Sequence, residues 1–133
     1  MTTLRTCALI TLPLALVSAA LTATPALADG GGSEVRASGP CSQGSTWKLK
    51  AKTDDGRLEA ELEVDGRAGQ TWSWRLTDNG DLVARGTAQT AGPSGSFSRE
   101  RRLADQPGVD VLRLRAVRAG GGETCTGTLR FPA

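Results

Sequence analysis

Three groups of residues in this chain have the types and spacing to do chemistry. Cys41 and Cys125 form an even pair once Cys7, which precedes an apolar run, is set aside. Arg75, Arg113, Arg115 and Arg130 alternate with apolar neighbours in segments of period two, so they would point away from a core. Clustered guanidiniums bind phosphates and carboxylates bidentately, which makes these four a candidate anion-binding set. Asp54, Asp55, Asp78 and Asp81 form the third group; such carboxylates can supply calcium oxygens or an acid/base pair.

What is missing narrows these options. The chain has no histidine and no tyrosine, which removes Ser-His-Asp and Cys-His machinery and any histidine metal site. Two cysteines without histidine are a poor zinc ligand set. A disulfide between Cys41 and Cys125 is expected instead, closing a long loop worth roughly 4–5 kcal/mol in the chain-entropy picture. No stretch fits the calcium-loop spacing, and Asp, Asn and Gly are what tight turns require by geometry. Trp72 and Trp74 could make a stacking platform, but they share the parity of Leu76, as Trp47 shares that of Leu49, so all three are assigned to the core. The sequence therefore predicts no catalytic residue, no metal and no cofactor.

The elements that must position these residues begin after an export signal. Arg5, the apolar run from Ala8 to Ala20 and the small residues Pro25-Ala26-Leu27-Ala28 form a signal peptide over residues 1–28. The run is too short for a membrane span. Residues 29–40 (DGGGSEVRASGP) are Gly-rich and polar and are expected to be a flexible leader. Residues 41–133 form the domain, in an oxidising compartment that suits the disulfide. The formal charge of the whole chain is only +2, so a nucleic-acid role gains no support from overall charge.

Within the domain the pattern is that of strands. Trp47–Lys52 alternates Trp47, Leu49 and Ala51 with Lys48, Lys50 and Lys52; Leu58, Ala60, Leu62 and Val64 then alternate with Glu59, Glu61 and Glu63. A four-residue loop, Thr53 to Gly56, would set Lys50 opposite Glu59 and Lys48 opposite Glu61. Thr71–Thr77 is a third strand, and Asp78-Asn79-Gly80-Asp81 a hairpin turn of type I′. Leu82–Thr90 is a weaker fourth strand at an edge. Ser96–Leu103 is ambiguous, since Phe97 shares its parity with Arg99 and Arg101; a bulge or a short strand would resolve the conflict. Strands through Leu112, Leu114 and Ala116, and through Cys125, Gly127, Leu129 and Phe131, complete about seven. This spacing, with no amphipathic helix, predicts an all-β, antiparallel sandwich. Greek-key connections would bring the third, sixth and seventh strands into one sheet, so that Arg75, Arg113, Arg115 and Arg130 share a face.

Four segments carry a family resemblance: Cys41-Ser42-Gln43-Gly44-Ser45-Thr46-Trp47-Lys48-Leu49-Lys50, Gly69-Gln70-Thr71-Trp72, Ser94-Gly95-Ser96-Phe97 and Gly122-Glu123-Thr124-Cys125. Over roughly residues 39–131 the chain resembles a group of small secreted actinobacterial proteins with a two-cysteine domain. The resemblance implies an immunoglobulin-like sandwich and secretion, and carries no catalytic residues. The cysteine placement differs from the usual inter-sheet pair of antibody domains.

Together these readings predict a secreted, non-catalytic binding module, monomeric and without a membrane span after signal cleavage. Its expected partner is an extracellular polymer or protein, with a polyanion suited to the arginine face. The alternative is a secreted inhibitor of an extracellular hydrolase, acting through a loop such as Ala91 to Ser96.

Overall fold

Alternation of apolar and polar side chains builds strands wherever one face can be buried. In the computed structural model, which describes residues 33–132, it produces eight antiparallel strands. They are β1 (Glu34–Pro40), β2 (Thr46–Asp54), β3 (Arg57–Asp65), β4 (Thr71–Asp78), β5 (Asp81–Gln89), β6 (Ser96–Ala104), β7 (Asp110–Arg118) and β8 (Thr124–Phe131). Sheet A has the order β1-β2-β3-β6 and sheet B the order β5-β4-β7-β8. The two form a sandwich-like, all-β fold. The third, sixth and seventh strands of the sequence pattern are β4, β7 and β8, and they lie together in sheet B as expected. Among the described residues there is no helix to cross a membrane. The signal-peptide assignment over residues 1–28, and residues 29–32 of the leader, lie outside the described residues.

The core contains the side chains that parity assigned to it. Trp47, Leu49 and Ala51 from β2 and Leu58, Ala60, Leu62 and Val64 from β3 meet Trp72, Trp74, Leu76, Leu112, Leu114, Leu129 and Phe131 from sheet B. Close approach of the sheets depends on Gly127: a Cβ there would stand 2.5 Å from the Trp47 ring. The β8 backbone thus lies directly on the indole. Cys41, just beyond β1, bonds to Cys125 on the inward face of β8. The bridge ties the entering segment to the exit strand.

Three local expectations are corrected. First, residues 34–40 are not a flexible leader but a strand, pairing with β2 from Glu34↔Lys52 to Pro40↔Thr46. Its inward positions are Val35, Ala37 and Gly39, too small to give a hydrophobic signal, and Gly39 leaves room for Trp47, whose ring lies 3.0 Å from where a Cβ would sit. The strand count is therefore eight rather than seven.

Second, the β2–β3 loop has two residues, not four. Asp54 pairs with Arg57, so Lys50 faces Glu61 and Lys48 faces Glu63. Asp55 (φ 49°) and Gly56 (φ 73°) both take positive φ, as a type I′ hairpin requires. The shift is by two residues, which preserves parity and leaves every lysine opposite a glutamate.

Third, β6 is a regular strand, in unbroken register with β3. Its inward arginines are accommodated at the open side of the sandwich, where Arg101 lies over Trp74 at 5.3 Å from the ring centroid. The irregularity falls in β5 instead. Leu76 pairs with Ala84 but Thr77 with Leu82, leaving Val83 as the extra residue.

Candidate functional site

The outer face of sheet B is built by residues of one parity on four strands. Register sets Arg75 of β4 between Arg85 of β5 and Arg115 of β7, with Thr126 of β8 beyond Arg115. The next row is Thr77, Arg113 and Thr128, and Arg130 pairs with Val111 one row further. Neighbouring strands lie about 4.8 Å apart, so three guanidiniums stem from backbone positions within about 10 Å of one another. Arg75, Arg85 and Arg115 line a shallow depression of about 450 Å³ with Ser73, Thr87 and Val117. Arg113 and Arg130 line a second depression of about 400 Å³ beside Asn79 and Val111. All five arginines are exposed, and among the described residues none of them has a carboxylate within 4 Å.

The four sequence-predicted arginines thus share one face, divided between two depressions. Arg85 completes the larger one and was missed. A strict two-residue hairpin at Asn79-Gly80 would pair Arg85 with Trp74 and bury it. The bulge at Val83 pairs Trp74 with Gly86 instead and turns Arg85 outward. The impossibility of burying an arginine beside Trp74 was the available signal.

Sheet A is the opposite case. Lys48 pairs with Glu63 (2.9 Å) and Asp65 (3.2 Å), Lys50 with Glu61 (2.9 Å) and Lys52 with Glu59 (3.0 Å). Arg102 pairs with Asp54. The outer lysines of sheet A are matched, whereas the arginines of sheet B are not. The glutamate row is therefore accounted for structurally, as its alternation with lysines indicated.

The other candidates separate. Asp55 occupies a hairpin turn, and Asp54 is engaged by Arg102. Among the described residues no three His, Cys, Asp or Glu converge to hold a metal. Asp78, however, is not a simple turn residue: it is buried with Asp110 at one end of sheet B. Burial first, then the neighbouring Asp110 carboxylate, push Asp78 up to about 6. Their inward parity, Asp78 after Leu76 and Asp110 before Leu112, was legible but overlooked.

Glu123, at the opposite end of β7, is buried and satisfied. Its carboxylate accepts the Ser45 hydroxyl (2.6 Å) and the amide N–H groups of Ser45 (3.0 Å) and Gln43 (2.8 Å), with Arg118 at 3.7 Å. Burial pushes its pKa up, but the hydrogen bonds from Ser45 and Gln43, together with Arg118, hold it below the usual 4.5. The three tryptophans are buried, at no more than 7% exposure, which leaves no exposed stacking platform among them. The Ala91–Ser96 loop is exposed at Ala91–Ser94 and closed by reciprocal bonds between Ala91 and Ser96, while Gly95 accepts the Gly66 amide.

No protein-family model, no curated protein and no solved structure matches this chain.

Proposed function

We propose that this chain is a secreted, non-catalytic binding module that engages a polyanion of the cell envelope or surrounding medium through the outer face of sheet B. The observation that carries the reading is the contrast between the two sheets. The same fold that gives the outer lysines of sheet A acidic partners leaves Arg75, Arg85, Arg113, Arg115 and Arg130 with none among the described residues. Guanidiniums held by a rigid sheet offer paired donors to phosphate or carboxylate oxygens with little loss of backbone freedom. Thr126 and Thr128 add hydroxyls along the same surface.

The strand order supports an immunoglobulin-like assignment. Taking β2, β3 and β6 as strands A, B and E, and β4, β7 and β8 as C, F and G with β5 as C′, gives an A-B-E sheet facing a C′-C-F-G sheet, an arrangement that keeps the B-E and C-F-G neighbours of that class but lacks strand D. Trp72 and Trp74 then lie on strand C, where such domains keep a buried tryptophan. β1 is an addition at the edge. Secretion is supported by the signal-like N-terminal sequence and by the Cys41–Cys125 disulfide. Membership among small secreted actinobacterial two-cysteine proteins is part of the same proposal.

The test is a pull-down of mature protein on purified cell envelope across a salt series, with an Arg113→Glu/Arg115→Glu control. Binding that weakens with salt and disappears in the control is expected. Equal binding by the control removes the arginine face. No binding by the wild type removes the envelope partner and leaves the braced Ala91–Ser96 loop as the surface to test against extracellular hydrolases.

A further inference from the structure

Asp78 ends β4 on the inward parity of Trp72, Trp74 and Leu76, and Asp110 opens β7 on that of Leu112 and Leu114. Asp78 pairs with Leu112, so Asp110 lies on the adjoining strand two residues along the same face, a diagonal neighbour. The two residues are 1% and 0% exposed. None of their four carboxylate oxygens has a hydrogen-bond partner or an ion pair among the described residues. Two ionised carboxylates so placed would be desolvated and would repel each other.

Their surroundings do not relieve this. Asp105, from the β6–β7 connection, and Asp81, at the start of β5, add negative charge. The amide of Gln106 favours ionised Asp110 but does not complete a hydrogen bond. On sheet A this end carries Arg57, unpaired with either aspartate, and the Arg102–Asp54 pair. Arg113 and Arg130 belong to the outer parity of sheet B.

We propose that Asp78 and Asp110 form a pH-sensitive latch, in which one shared proton closes this end of the sandwich in mildly acidic medium and its loss loosens the end. Asp78 donates the proton and Asp110 accepts it. The latch acts on flanking residues that already tie the strands together. The Asn79 amide donates to the Val111 carbonyl (3.0 Å), and the Val111 amide to Asn79 Oδ1 (2.9 Å). Asn79 Nδ2 donates to Gln106 Oε1 (3.3 Å), reaching the β6–β7 connection. A proton is favoured over a metal because, among the described residues, no three His, Cys, Asp or Glu side chains are placed to hold an ion, Asp105 included.

Burial and the facing carboxylate raise Asp78 from its ordinary 3.8 to about 6, and Asp110 is also raised, with burial the leading cause. Between these values the folded chain binds more protons than the unfolded one. Stability from the pair is therefore greatest in acid and falls as pH rises through about 6. Glu123 has the opposite sign, and its titration lies below 4.5, outside the window that tests the latch.

The experiment is denaturant unfolding of the whole protein from pH 4.5 to 8, with Asp78→Asn and with 1 mM-scale calcium as separate arms. The wild-type folding equilibrium constant should fall by roughly 30-fold across that window, because about 1.5 of the two pKa units lie above pH 4.5. Asp78→Asn, whose amide donates to Asp110 at any pH, should flatten the profile and be the more stable protein at pH 7.5. Protection factors for amide exchange at Asn79 and Val111, with the intrinsic base-catalysed rise divided out, should fall as pH passes 6 in the wild type alone. A flat wild-type profile, an unchanged slope in Asp78→Asn, or stoichiometric calcium binding that abolishes the slope would each overturn the latch. If the variant does not fold, carboxyl NMR titration of wild-type Asp78 decides: an apparent pKa near 4 rejects the proposal and one near 6 supports it.

Discussion

Glu123 shows how much a single buried carboxylate can organise. Its three hydrogen bonds hold Gln43 and Ser45 in place beside the disulfide. Glu123→Gln keeps the shape but removes the charge and one acceptor, so a loss of about 2–4 kcal/mol in denaturant unfolding at pH 7 is expected. Because the folded chain holds this carboxyl below 4.5, its contribution is complete above that pH and is lost as pH falls. The variant should therefore show a shallower acid limb than the wild type. At this scale the sequence was legible in parity and illegible in partners. Trp47, Trp72 and Trp74 could be assigned to the core by their neighbours, whereas Glu123 has inward parity that looks like an error until Ser45 and Gln43 are seen around it. Arg99 and Arg101 illustrate the converse. Their inward parity is real, and the open side of the sandwich lets them keep it.

At the level of strands, side-chain alternation fixes which face is buried but leaves the register free by steps of two. That is why the β2–β3 hairpin kept its charge pairing when its loop proved two residues shorter than expected. β1 gave only a weak alternation, because its inward residues dwindle from Val35 to Ala37 to Gly39, where the Trp47 ring leaves no room for a side chain. β5 was weak in pattern because its bulge breaks the alternation at Val83. Among the strand glycines the closest approach is on β8. Gly127→Ala would place a methyl group within 2.5 Å of the Trp47 ring, between backbone and indole. A loss of about 1–3 kcal/mol is expected, with a shift in tryptophan fluorescence as Trp47 is displaced. Comparison of urea midpoints and emission maxima for the two proteins checks both.

Across the whole molecule, the two ends of sheet B answer pH in opposite directions. The Glu123 end is weakened in acid, and the proposed Asp78–Asp110 end above about pH 6. Stability should therefore peak in mildly acidic medium rather than at neutrality. Cys41→Ser/Cys125→Ser tests a further global restraint. With the cysteines 84 positions apart, removing the bond should cost up to about 4–5 kcal/mol, read as a lower urea midpoint. Sandwich architecture and the cysteine pair were legible because each depends on patterns spread over the chain. The third arginine of the larger depression, Arg85, was not, since its outward direction depends on one extra residue in β5.

The connectivity of that bond also imposes an order in time. Cys41 precedes β2 and its partner lies in β8, so six complete strands stand between them. As the chain is made or threaded from its N-terminus, the first sulfur emerges long before the second. It must wait as a free thiol, open to exchange with any disulfide nearby, until the intervening strands have followed. Oxidation is consequently a late signature: a molecule that has formed this bond has already delivered the six strands between the two cysteines and begun the last.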